Sequence, residues 1–140
     1  VQAMCTSFKQ EMLKAVHNFS AAGGHTFKWA LYTPTAVLDA STTVYAATDE
    51  VASAGYTAGG LTLTNVEPSV SGTTAMTSFA TNPSWTGVTF VTTQGLIYNT
   101  SAANKAVAVI DFGGSQSVTA GTFTINLPPV TATTALLRLV

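Results

Sequence analysis

Two hydrophobic periods divide the chain. Between Thr6 and Phe19 the apolar positions Phe8, Met12, Ala15, Val16 and Phe19 recur at helical spacing, opposite Gln10, Glu11, Lys14, His17 and Asn18. This pattern predicts one amphipathic helix over residues 6–20. Ser7 and Gln10 have capping-box spacing, and Ser20-Ala21-Ala22-Gly23-Gly24 supplies a flexible exit. The apolar stripe must cover either the domain's own sheet or a neighbouring subunit. Ahead of it, residues 1–5 are a candidate arm, and the whole segment Val1–Phe8 a candidate contact with a neighbour, because termini are loose unless tied down.

After Gly24 the period switches to two. His25 to Tyr32 alternates Phe27, Trp29 and Leu31 with Lys28, Ala30 and Tyr32, the pattern of a half-buried antiparallel strand. Further strands are predicted at 44–46, 50–56, 61–66, 74–80, 88–93, 96–99, 106–112, 122–127 and 135–140. Ala58-Gly59-Gly60, Glu67-Pro68-Ser69, Asn82-Pro83-Ser84, Gln94-Gly95, Gly113-Gly114 and Pro128-Pro129 read as the turns between them. About eight to ten short strands with frequent turns point to a mainly β fold. The expectation is a single domain over 1–140, an antiparallel β-sandwich (25–140), jelly-roll-like, with one N-terminal amphipathic helix. Ala106–Ile110 is apolar at every position, so it reads as a central strand covered on both faces, in part by the helix.

Composition changes the picture in one respect. Only 8% of residues are charged, against about 25% in an average soluble domain, while twenty-five are Thr and twenty-one are Ala. Such a surface offers little like-charge repulsion between copies and suits an assembly. With five basic residues and a net charge of −1, there is no stripe to neutralise a run of phosphates, so nucleic acid is not an expected partner. No apolar run reaches a membrane span, and Val1–Phe8 lacks the basic and continuous apolar regions of a secretory signal. The expectation is a soluble chain with no membrane partner. The single Cys5 cannot form an internal disulfide.

Candidate chemistry is sparse. His17, on the polar helix face, reads as solvated surface, and His25 as a turn-facing hydrogen-bond donor; no Gly-x-Ser-x-Gly elbow accompanies them. Asp49-Glu50 is the one adjacent acidic pair, without the loop spacing that calcium needs or the Cys and His spacing that zinc needs. No catalytic residue, metal ligand or cofactor is therefore expected. Among the aromatics, Trp29 and Phe27 read as core. Trp85, after Asn82-Pro83-Ser84, reads as core or as an exposed loop-edge ring that meets a partner or stacks on a sugar. Tyr56 shares the second reading.

Several blocks together resemble a known family. Phe8–Leu13 with His17-Asn18-Phe19, Thr26–Thr33, Glu50-Val51, Gly55–Gly60, Gly95–Asn99, Ala106–Gly113 and Gly121–Thr124 are similar to segments of small structural virion proteins of tailed bacteriophages, of the head decoration or cement type. The likeness runs along nearly the whole chain. It implies a non-enzymatic protein on the outer surface of the capsid. There it would bind the major capsid protein lattice and itself, as a homodimer or homotrimer, and stabilise the head. The alternative is a tail or fibre-associated module that binds a host-surface receptor or glycan. Val1, Met4, Phe8, Tyr56 and Trp85 are the residues expected at a protein interface.

Overall fold

Strand alternation and apolar runs resolve into eight strands and one short helix in the computed structural model, which describes residues 1–140. In chain order these are β1 (Ala3–Met4), α1 (Thr6–Leu13), β2 (Phe27–Tyr32), β3 (Leu61–Thr62), β4 (Ser69–Ser71), β5 (Thr74–Thr77), β6 (Ser84–Asn99), β7 (Lys105–Thr124) and β8 (Leu137–Leu139). The fold is mainly β. A five-stranded antiparallel sheet has the order β1-β7-β6-β2-β3, and a three-stranded one the order β4-β5-β8. The helix lies between them: Phe8 and Met12 of α1 share an apolar cleft with Met76 of β5 and Leu137 of β8. One contiguous core joins both sheets, the helix and the loop aromatics.

Two predicted turns are not turns. Residues 88–93 and 96–99 belong to one strand, β6, which passes straight through Gln94-Gly95. Gly95 is there for close approach: a Cβ at this position would collide with the Trp29 indole nitrogen on β2. Its missing side chain lets a large ring cross the neighbouring strand. Residues 106–112 and 122–124 are likewise one strand, β7. The register steps from Gln94↔Asp111 to Thr92↔Gln116, so Phe112–Ser115 are looped out of the ladder, with Gly113 at φ 76°. This is a large bulge, and bulges bend and twist the strand that carries them.

The helix is shorter than its apolar period. It ends at Leu13, and Ala15 adopts φ 57°, a left-handed dihedral that turns the chain away. Phe19 then reaches the core from a loop and stacks on Phe27 with centroids 4.3 Å apart. The N-cap is Cys5, with no side-chain cap; the Ser7–Gln10 capping box does not form, and Ser7 Oγ is buried without a partner. Burial pushes the Cys5 thiol up to about 11, aided by the Asp39 charge, which keeps it protonated and unreactive.

β2 is buried on both faces and not on one. Trp29, Ala30, Leu31 and Tyr32 are all at most 1% exposed, because the loop from Val44 to Gly60 covers the second face. That loop was predicted to contain strands at 44–46 and 50–56. It makes only isolated bridges, Val44↔Lys105 and Tyr32↔Glu50. Ala106–Val109 are buried on both faces, with α1 packed on β7. The first residues are not loose, since β1 pairs with Ala108 and Val109.

Gly95→Ala is expected to destabilise the fold by about 1–3 kcal/mol through overpacking against Trp29. Urea unfolding checks it: the midpoint falls while the slope stays constant.

Candidate interaction surface

The long loop before β3 has no ladder to satisfy its polar groups, so side chains do so. Glu50 accepts hydrogen bonds from Tyr45 Oη at 2.9 Å, Tyr56 Oη at 3.0 Å and the Gly59 N–H at 3.0 Å. Tyr56 Oη also accepts from the Leu31 N–H at 2.9 Å, and Tyr98 Oη donates to the Gly59 carbonyl at 2.6 Å. Tyr45 stacks on Tyr98, 4.6 Å between centroids. Burial, joined by the negative charge of Glu50, pushes the phenols of Tyr45 and Tyr98 up to about 12. Tyr32 and Tyr56 are raised in the same direction, chiefly by burial. Glu50 thus anchors a loop, which the sequence, showing only an acidic pair, did not reveal.

A second polar knot joins α1 to the β6–β7 turn. Glu11 binds His17 at 2.7 Å and Lys105 at 3.1 Å. Burial opposes ionisation of Glu11, but the hydrogen bonds from His17 and Lys105 outweigh it and hold the carboxyl below its ordinary value. His17, expected on a solvated helix face, is buried beyond the helix end, between Phe8 and Phe27. His25, expected as a donor, accepts at Nδ1 from Asn99. No group of three or more His, Cys, Asp or Glu side chains converges in metal-ligand geometry.

The remaining feature is a half-covered ribbon. Beyond the reach of β2, residues 84–92 of β6 and 116–124 of β7 continue as two strands alone. Trp85 lies opposite Phe123 and Phe90 opposite Val118, and directly opposed residues share a face. On that face the β6 half is closed by the loop: Tyr56 stacks on Trp85 at 6.1 Å, and the Thr89 N–H donates to Ser53 Oγ at 3.1 Å. The β7 half is open. Ile110, Phe112, Val118, Phe123 and Ile125 remain half-buried around a shallow concavity of about 530 Å³, rimmed by Gln116 and Asn126. No Asp, Glu, Lys, Arg or His occurs from Pro68 to Asn104 or from Phe112 to Leu137, so the entire ribbon is uncharged.

Of the five residues expected at an interface, three point inward. Phe8 and Trp85 are 2% exposed and Tyr56 is 8% exposed, so none presents a surface to a partner or a sugar. Trp85 is drawn in because β6 already begins at Ser84, which places the ring in the ladder opposite Phe123. Met4 is half-buried at a narrow apolar cleft of about 90 Å³ that all three methionines line, with Met12 and Met76. Val1 is exposed. The β7 strip escaped the sequence because its residues were divided between two predicted strands.

All four tyrosines carry raised phenols, which makes alkaline stability predictable. The unfolded chain releases phenolic protons near pH 10, while the folded chain holds them, so stability is full below about pH 10 and is lost as pH rises toward 12. Tyrosinate absorbance is expected to appear together with unfolding as one cooperative step. A non-cooperative rise centred at pH 10 in the folded chain contradicts this.

Comparison with known proteins finds no matching family model, no matching curated protein and no matching solved structure.

Proposed function

We propose that this chain is a structural, non-enzymatic virion protein that decorates the outer surface of a tailed-bacteriophage head and stabilises it by binding the major capsid protein lattice. The observation that carries the reading is the row of half-buried apolar side chains along β7, beside a ribbon stretch that carries no charged residue. Half-buried aromatic and aliphatic groups beside a finished core hold apolar area that a partner can still remove from water. The ribbon's lack of charge lets many copies sit close together without mutual repulsion. The whole-chain resemblance to decoration and cement proteins supplies the partner class. Copies also contact one another, as a dimer or trimer, and each modest contact gains from the effective concentration of a repeating lattice. Binding to the assembled shell stabilises it by linkage.

Purified heads stripped of the protein provide the test. The wild-type chain is expected to rebind them and restore heat resistance. Phe112→Lys and Val118→Lys, which place a charge on the strip, are expected to weaken rebinding at least about tenfold while circular dichroism stays unchanged. Failure of the folded wild-type chain to bind heads, or undiminished binding by both variants, overturns the reading.

A further inference from the structure

The β6–β7 turn is tied to the helix by hydrogen bonds whose donors and acceptors can be assigned atom by atom. The Ser101 N–H donates to Asn99 Oδ1 at 3.0 Å and caps the 3-10 turn Thr100–Ala102. That bond fixes the Asn99 amide, because the reverse orientation would set its NH2 against another donor. Asn99 Nδ2 consequently lies 2.9 Å from Nδ1 of His17 and 2.9 Å from Nδ1 of His25. Its two protons serve two imidazole lone pairs. His17 must then carry its proton on Nε2, where it is donated to Glu11 Oε2 at 2.7 Å.

We propose that Asn99 is a proton-sensitive latch: its amide reads the protonation of His17 and His25 and passes it to the β6–β7 turn. A proton gained at either Nδ1 sets an N–H against the amide NH2. Once both Nδ1 atoms carry a proton, rotation of the amide by half a turn relieves the conflict, since Oδ1 has two lone pairs and can accept from both rings. The same rotation removes the acceptor from the Ser101 N–H, so the turn loses its cap.

The surroundings make this a two-state device and not a general acid collapse. The groups facing His17 are Glu11 and Phe8 from α1, Phe27 from β2, and Lys105 from β7 acting through Glu11, while the contact of the half-buried His25 ring is Asn99 itself. The Glu11 carboxyl is held below its ordinary value, because the hydrogen bonds from His17 and Lys105 outweigh its burial. A protonated His17 therefore retains its partner on the helix side, and the change is confined to Asn99. The turn also carries backbone strain. Ala103 and Asn104 are consecutive left-handed residues at φ 52° and φ 57°, a conformation that persists only while neighbouring contacts enforce it.

The latch is independent of the capsid reading and is tested on the full chain in solution. Nitrogen NMR of the imidazoles reports the tautomer, and hydrogen exchange over Thr100–Asn104, corrected for intrinsic rates, reports the turn from pH 8 to pH 4. The expected result is His17 protonated on Nε2 and not on Nδ1 at pH 8. Ser101 protection should then fall by about fivefold, the loss of one cap, as the pH is lowered across that range. Asn99→Asp should flatten the response. Its carboxylate presents one oxygen to the Ser101 N–H and another to the rings, so no rotation is needed and the cap persists across the range. A proton on His17 Nδ1 at pH 8, or protection at Ser101 that is flat with pH in the wild-type chain, overturns the proposal. The wild-type measurement decides alone where the variant does not fold.

Discussion

The backbone ladder between β6 and β7 is what the rest of the molecule hangs on. Sixteen residues of β6 run antiparallel to the twenty of β7, a ribbon about 50 Å long at ordinary strand rise. At one end β2 adds to β6 and β1 to β7, and α1 packs there. At the other end the ribbon stands alone, and its side chains need cover from elsewhere. A two-stranded ribbon is marginal in water without such cover. The core and the candidate interaction surface are therefore two ends of one element.

Local conflicts along the ribbon are settled by bulges and not by ending the strands. The register slips between Trp85 and Val88, between Val88 and Phe90, and between Thr92 and Gln94. Each slip adds twist and keeps aromatic side chains on the inner face despite imperfect alternation. The bulges also make the free edge of β7 irregular, which discourages uncontrolled strand addition in a chain with few charges to protect its edges.

Two knots of polar groups hold irregular segments of this nearly uncharged domain, one around Glu50 and one around Asn99. Both tie irregular backbone to a strand: Glu50 holds the loop over β2, and Asn99 holds the segments after the helix against the hairpin turn. A buried polar group without its partner is costly, so such knots favour one arrangement over many loosely packed alternatives. The aromatic contacts of Phe8, Phe19, Phe27 and Phe79 fill the space between the knots and the small sheet but would not by themselves fix the loops.

Much of the architecture was legible in the sequence because its signals are local. The helix start at Thr6, the alternation through Phe27–Tyr32 and the unbroken apolar run at Ala106–Val109 each follow from side-chain period alone. What the sequence could not decide were matters that depend on what lies across the fold. Gly95 reads as a turn until Trp29 is seen to cross it, and Gly113 reads as a hairpin until the register shows that the strand resumes beyond it. Trp85 reads as core or as an exposed ring, and Tyr56 as an exposed ring, until each is found covering the other. His17 and Asn99 are 82 residues apart, so their hydrogen bond leaves no trace in local pattern. Period is fixed by the chain's own geometry, whereas burial, hydrogen-bond partners and open surface are fixed by which distant segments meet, and only the tertiary structure decides that.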